Sequence, residues 1–316
     1  MSIVERALKR LQQSGQGPAQ GKAPPMPIGR VQPAGAAPKG MPPTAASRDA
    51  PSRRLVGNPE KMIHIDFEAL RRSGLLPPDH QQRELAHQYR TLKRPILKYA
   101  FDDGAADGAG GVASPRTLMV TSALPGEGKT FTSINLALSL ALEKDHNVIL
   151  IDGDAPKPHV SQTFGVGQEP GLLDLLVQRE LAVESAVLPT DIRGLFVLPI
   201  GRRSETATEL LASARMREVI GELEALDSQA IVLLDSPPIL LTSEAQVLAS
   251  LFGQVVLVVR AGVTAQQAVS DALTIIGEGP RVGLVLNQAL HDNNVGGYYG
   301  YGYGDGFGEM QQMEKQ

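Results

Sequence analysis

Short apolar runs alternate with amphipathic stretches along most of the chain beyond residue 115, and that alternation predicts its architecture. Leu118–Val120 reads as a buried strand, and after a glycine-bearing turn Phe131–Leu142 has the apolar spacing of a helix. The pattern then repeats. Strands are predicted at Val148–Ile151, Leu195–Pro199, Ile231–Leu234, Val255–Val259 and Val282–Leu286, and helices at Gly171–Gln178, Thr206–Leu226, Ser243–Ser250 and Ala265–Ile276. Strands that are apolar throughout, separated by helices, belong to a parallel sheet covered on both faces. The predicted fold class is therefore α/β: a doubly wound, mostly parallel sheet with helices on both faces. Ligands of such sheets bind beyond the carboxyl ends of the strands.

Upstream the pattern changes. Ile3, Ala7, Leu8 and Leu11 share one face of a short amphipathic helix (residues 1–13), which is marginal alone and suits a membrane surface or a partner as well as it suits a frayed terminus. Residues 14–60 hold ten of the 23 prolines and too few apolar residues for a core, so they are expected to be a disordered Pro/Gly/Ala linker. Order is predicted from residue 61. Ile63, Ile65 and Phe67 alternate as an edge strand, Asp66 caps a turn through Arg72, and a helix opens at Pro77-Pro78-Asp79 and runs to Tyr99, kinked or divided by Pro95. Residues 61–101 are thus a strand and helix attached to the main domain, 112–290. The Asp/Gly/Ala stretch from Asp102 to Gly111 joins them as a loop, and residues 291–316 form a Gly/Tyr tail.

Charge adds an asymmetry. Residues 1–100 carry 17 Lys and Arg against 7 Asp and Glu, whereas residues 101–316 carry 13 against 27. The basic third suits anionic lipid, the acidic domain of a neighbouring copy, or plain solvation. Nucleic acid is not the expected partner, because the folded part is acidic and aromatic residues are scarce. There is no cysteine, hence no disulfide framework. No apolar run is long enough to span a bilayer, so a cytoplasmic protein is expected, with any membrane association made through a partner or the surface.

The chemistry begins at the first strand. Ala123-Leu-Pro125-Gly126-Glu127-Gly128-Lys129-Thr130 lies between strand and helix, as in the phosphate-binding P-loop G-x-x-x-x-G-K-[ST], with Ala123 in place of the first glycine. Small residues let backbone N–H groups point at a phosphate. Lys129 supplies a charge for the β- and γ-phosphates, Thr130 an oxygen for Mg²⁺, and the helix its positive end. A chance Gly-Lys-Thr before a helix is the bland alternative. Two more strands end in carboxylates, at Asp152-Gly-Asp154 and at Asp235. Such residues also form turns and caps, but on the edge that carries the P-loop they can hold Mg²⁺ or orient a nucleophile. Together these motifs predict a P-loop NTPase that binds ATP.

With these motifs the chain resembles the bacterial P-loop protein-tyrosine kinases, and most narrowly the exosortase-associated tyrosine autokinases of exopolysaccharide gene clusters. The resemblance covers roughly residues 62–303 and the short N-terminal helix. It implies that Ala123–Thr130 is Walker A, with Ala123, Pro125, Gly126, Glu127, Gly128, Lys129, Thr130 and Phe131 around ATP. It also implies that Asp152 and Asp154 are Walker A′ and that Asp235 is Walker B. Lys129, Asp152 and Asp154 are then the catalytic residues, with Asp152 deprotonating the incoming tyrosine; Thr130, Asp154 and Asp235 organise Mg²⁺. Asn287, after the last strand, is expected at the adenine, or is simply a strand-end turn residue.

The resemblance makes Tyr298, Tyr299, Tyr301 and Tyr303 the phosphoacceptors. They are four of the six tyrosines in the chain. Glycine spacing keeps them out of any core, and about ten residues beyond Asn287 reach up to ~35 Å when extended. That reach fits attack in cis as well as on a neighbour, and transfer to a neighbouring copy is the expectation adopted. A phenol with pKa near ~10 must lose its proton on attack, which gives a carboxylate base a task. Phosphates on the tail would repel it from the acidic domain and could disassemble an oligomer. The resemblance further implies control of exopolysaccharide or capsule polymerisation and export. Its implied partners are an inner-membrane chain-length determinant or co-polymerase as activator, a homo-oligomer and a cognate tyrosine phosphatase.

Two positions depart from the family pattern. Pro156, followed by Lys157, stands where an arginine is frequent, and Lys cannot reproduce a guanidinium's bidentate contacts. The Glu-x-x-Arg-x-x-Arg ring signature becomes His87, Arg90 and Lys93; Arg90 and Lys93 remain the oligomerisation candidates, and Glu84 stands one turn earlier. A partition- or septum-type P-loop ATPase, a nucleotide-switched assembly module, is the principal alternative. Leu124, where such ATPases place a second lysine, counts against it. A non-catalytic module clamped by ATP is the third reading.

Overall fold

The computed structural model describes Leu55, residues 59–101 and residues 113–289. The N-terminal helix, nearly all of the 14–60 linker, the 102–111 loop and the tail with its four tyrosines lie outside the described residues. The described elements are α1 (Phe67–Arg72), α2 (Gln82–Phe101), β1 (Thr117–Ser122), α3 (Lys129–Ala141), β2 (Asn147–Asp152), α4 (His159–Thr163), α5 (Leu172–Val177), α6 (Val183–Ala186) and β3 (Leu188–Pro189). They continue with β4 (Leu195–Leu198), α7 (Ala207–Leu211), α8 (Ala214–Leu226), β5 (Ala230–Asp235), α9 (Ser243–Ala249), β6 (Gln254–Arg260), α10 (Gln266–Ile276) and β7 (Arg281–Asn287).

The strands form one sheet in the order β3-β4-β2-β5-β1-β6-β7, parallel throughout except that β3 runs antiparallel to β4. Each central strand sends alternate side chains into two separate cores. Met119, Ile149, Ile151, Val232 and Leu234 pack on the face covered by α5 to α10. Leu118, Val120, Val148, Leu150, Ile231 and Leu233 pack on the face covered by α1 to α4. Burial on both faces is why these strands are apolar at every position rather than at every second one. Every residue of β1, β2, β4 and β5 is buried.

The sequence expectations for the central strands agree with the structure to within one or two residues at either end. Four expectations are corrected. The alternating 63–67 segment is not an edge strand: Ile63 makes a single bridge to Thr190, and Phe67 starts α1, whose N-cap Asp66 accepts the Ala69 N–H at 3.0 Å. The local cap outcompetes the weak alternation. Of the two outcomes expected at Pro95, a kink or a break, the break does not occur, since α2 is continuous from Gln82 to Phe101. The predicted 206–226 helix is two helices, because Ser213 takes an extended backbone and its hydroxyl turns back to the Leu210 carbonyl at 2.6 Å. Finally, α4, α6 and β3 have no counterpart in the periodicity, since four- and five-residue helices and a two-residue strand are too short to generate one. Among the described residues no helix is long and apolar enough to cross a membrane.

Candidate active site

The carboxyl ends of β1, β5 and β2 lie side by side, and the register fixes what meets there. Asp235 pairs with Val120 on one side and with Asp152 on the other. Directly paired residues of neighbouring strands point to the same face, so the two carboxylates both turn toward the α3–α4 side. The chain leaves β1 through the loop 123–128 and re-enters helix at Lys129. Gly126 and Gly128 have φ of 78° and 92°, the left-handed region that glycine takes without strain. The loop therefore wraps the N-terminus of α3.

Lys129 reaches across to β2 and places its ammonium 2.6 Å from Asp154 Oδ2. Asp235 is fully buried; its Oδ1 accepts the Ser133 hydroxyl at 2.8 Å, and its Oδ2 makes no hydrogen bond among the described residues. Burial pushes the Asp235 carboxyl above its ordinary range, while the Lys129 charge and the Ser133 and Thr130 hydroxyls pull the other way. Asp152 is 0% exposed, and its Oδ2 accepts both the Ser161 N–H and the Ser161 hydroxyl at 2.7 Å. Its Oδ1 has only the Asp154 N–H at 3.4 Å. Burial first, and the Asp235 charge second, raise the Asp152 carboxyl from 3.8 to about 7.

A buried carboxylate oxygen without a donor is costly unless something absent from the protein meets it. Asp235 Oδ2, beside Thr130 and the Lys129–Asp154 pair, fits a divalent cation or its water shell. The donors are all oxygens, as Mg²⁺ requires. The glycine turn with Lys129 at the head of α3 fits an anion of phosphate type.

Other anticipated residues are placed as follows. Ala123 is buried among the core residues, and Phe131 packs its ring against the core beneath the sheet. Asn287 donates from Nδ2 to the Glu127 carbonyl at 2.9 Å, and Gln288 from Nε2 to the Gly126 carbonyl at 3.1 Å. The end of β7 is thereby tied to the P-loop, a link the sequence gives no means of seeing. Pro156 and Lys157 are exposed; the Lys157 contribution to the carboxylates is its backbone N–H, 3.2 Å from Asp154 Oδ1. Arg90 is exposed on α2. Lys93 is 6% exposed, and its ammonium is held within the chain by the Ser139 carbonyl at 2.6 Å and Glu143 at 2.7 Å.

Sequence reasoning missed Ser133, Ser161, Glu127 as a brace, and Thr264. Ser133 had a signal, since it stands four residues after Lys129 and so on the same helix face. Ser161 had none, because the short α4 that presents it is invisible in the pattern. Glu127 is buried; its Oε2 accepts the Leu124 N–H at 2.7 Å and its Oε1 accepts the Thr264 hydroxyl, which holds the loop to the segment after β6.

A parallel sheet with a glycine loop, a lysine and three strand-end carboxylates at one edge defines a P-loop nucleotide-binding domain. Comparison with known proteins narrows the class. Residues 116–290 match the AAA domain family. The tyrosine-protein kinase YwqD of Bacillus subtilis is 32% identical over 218 residues, covering 68% of this chain and 86% of its own length. The putative tyrosine-protein kinase EpsB of Ralstonia solanacearum is 30% identical over 75% of this chain, which spans 29% of that longer relative. The crystal structure of the VpsO kinase domain superposes with a TM-score of 0.54 at 28% identity, covering 67% of this chain and all of that domain. The chain belongs to the bacterial P-loop protein-tyrosine kinases.

Proposed function

We propose that the protein is an ATP-dependent tyrosine autokinase that modifies its own C-terminal cluster, Tyr298, Tyr299, Tyr301 and Tyr303, and so regulates exopolysaccharide or capsule polymerisation and export. The observation that carries this is the convergence at one sheet edge of Lys129, paired with Asp154, and of Asp235, whose buried Oδ2 has no donor among the described residues, beside an Asp152 raised to about 7. Mg-ATP, when bound, supplies the phosphoryl group and the divalent charge that stabilises its transfer. The Gly126–Thr130 backbone and Lys129 would hold the phosphates; Thr130, Asp154 and Asp235 would hold the metal. Lys129 must loosen from Asp154 to serve the phosphates. The proton of the attacking phenol goes to Asp152 Oδ1, the oxygen that Ser161 does not occupy. A carboxylate that titrates near neutrality is well matched to that proton.

Transfer between copies is the reading adopted. The tail follows β7, and β7 stands on the opposite side of β1 from β2. A chain modifying itself would have to pass its tail over its own P-loop. Arg90 remains a candidate for the contact between copies. The family suggests an inner-membrane chain-length determinant as activator, which would hold the kinase at the membrane, and a tyrosine phosphatase that resets the tail.

The test is phosphopeptide mass spectrometry of the tail from native cells, wild type beside Lys129→Met. Phosphotyrosine on residues 298–303 that disappears in the variant is expected. A bare tail in both strains, with ATP still bound by the purified protein, would point instead to an assembly ATPase.

A further inference from the structure

The outer face of α2 carries charge that the nucleotide site does not use. The helix buries Tyr89, Lys93, Ile96 and Ala100. It rests on α3, where the Lys93 ammonium meets the Ser139 carbonyl at 2.6 Å. Arg83, His87, Arg90, Arg94 and Lys98 are all exposed. We infer that this stripe is a membrane-docking surface, which lays α2 along a bilayer of anionic lipid headgroups. The inference is independent of the kinase reading, and it adds a direct lipid contact to the partner-mediated association proposed above.

Geometry supports it first. The five residues follow one another at steps of four, three, four and four positions. At the pitch of an α-helix such steps hold them within an arc of ~80° and make a row ~22 Å long. No Asp or Glu falls within that arc, and Glu84, the one acid of α2, stands beyond its rim. Among the described residues none of the five makes an ion pair. The row is therefore a continuous positive strip on the outermost helix of its face.

Charge complementarity supports it second. Residues 1–100 carry 17 Lys and Arg against 7 Asp and Glu, and residues 101–316 carry 13 against 27. An anionic leaflet attracts α2 together with the basic segment before it and repels the acidic domain behind it, which orients the chain. A second copy is the poorer fit. Paired with itself the stripe repels, and on a neighbour's α8 the acids Glu218 and Glu222 are already engaged by Arg179 and Arg215. Of the ring signature, the acid is replaced by His87, and Lys93 is held within the chain by Glu143 at 2.7 Å. Lipid headgroups carry their charge in no fixed register, so a row of like charges meets them without a matched protein surface.

An exposed leucine supports it third. Leu142 is 77% exposed, the most of any large apolar side chain among the described residues. It follows α3 directly and precedes Glu143, whose carboxyl is held below its ordinary range by Lys93 first and by Arg94 among the weaker causes. Leu142 therefore stands beside α2. An apolar tip next to a basic row is the composition of an interfacial surface, in which charge holds the headgroups and the apolar part enters between them. The stems of Arg and Lys add apolar length of the same kind.

The test is co-sedimentation of the full chain with vesicles of phosphatidylcholine alone and of phosphatidylcholine mixed with phosphatidylglycerol. The parent should bind the mixed vesicles, bind the neutral ones far less, and release as salt rises. Arg83→Gln, Arg90→Gln, Arg94→Gln and Lys98→Gln combined remove the charge and keep good helix formers. The partition coefficient should then fall by about fivefold for each residue changed, with the thermal midpoint held. Should the combined variant lose its fold, Arg83→Gln and Lys98→Gln, at the two ends of the row, read the same fall singly. Leu142→Ser should weaken binding with all charges in place. A parent that ignores the mixed vesicles, or binds neutral ones equally, overturns the proposal. So does a folded variant that binds as the parent does, which would give any lipid contact to residues 1–54. A variant that keeps its vesicle binding and loses its oligomer in analytical centrifugation would assign the stripe to a second copy instead.

Discussion

Replacing Gly128 with Ala tests the link between the P-loop and the end of β7. Gly128 has φ of 92°, and a Cβ built there would lie 2.0 Å from Asn287 Nδ2. Two costs add. Holding alanine in the left-handed region costs ~1–2 kcal/mol. Displacing the Asn287 amide from the Glu127 carbonyl forfeits a hydrogen bond worth ~0.5–1.5 kcal/mol net. Gly128→Ala should therefore destabilise the nucleotide-free chain by about 2–3 kcal/mol. Gly126 is the internal control: its φ is 78°, but an added Cβ meets nothing within 4 Å, so Gly126→Ala should show the backbone cost alone. Asn287→Ala removes the obstruction, and in that background Gly128→Ala should cost ~1 kcal/mol less. Urea unfolding of the four variants and the parent, followed by two optical probes to check two-state behaviour, gives these values. Gly128→Ala costing no more than Gly126→Ala, or a coupling to Asn287 within ~0.3 kcal/mol of zero, would show that the Asn287 amide does not obstruct a side chain at position 128.

Asp152 makes stability depend on pH. Its folded-state carboxyl titrates at about 7 against an ordinary 3.8, so the folded chain keeps a proton that the unfolded chain releases. Its contribution is complete below the ordinary value and is lost as pH rises through the folded one. The urea midpoint should fall between pH 5 and pH 8, and less steeply in Asp152→Asn; the slope will not vanish, because Asp235 is raised in the same sense. Equal slopes in parent and variant would contradict the assignment. Lys93→Met should cost ~1–2 kcal/mol, since it removes charged hydrogen bonds to Ser139 and Glu143 while keeping most of the apolar stem. Unchanged stability with a lost oligomer would instead return Lys93 to an interface between copies.

The sequence alone determined the doubly wound sheet, because strands buried on both faces must be apolar at every position and the helices between them must be amphipathic. It also determined the phosphate loop and the strand-end carboxylates, since their chemistry depends on residue type and local spacing. What it left open was set by contacts between residues far apart in the chain. Burial between packed elements raises the Asp152 titration first, and only the register of β2 on β5 adds the second cause by bringing Asp152 against Asp235. Ser161 reaches Asp152 from a five-residue helix with no periodic signature, and Lys93, a candidate for an interface by its motif position, is claimed by Glu143 fifty residues later. Local pattern encodes which elements form; which polar groups share a burial site is decided by packing, and their energies depend on that shared surrounding.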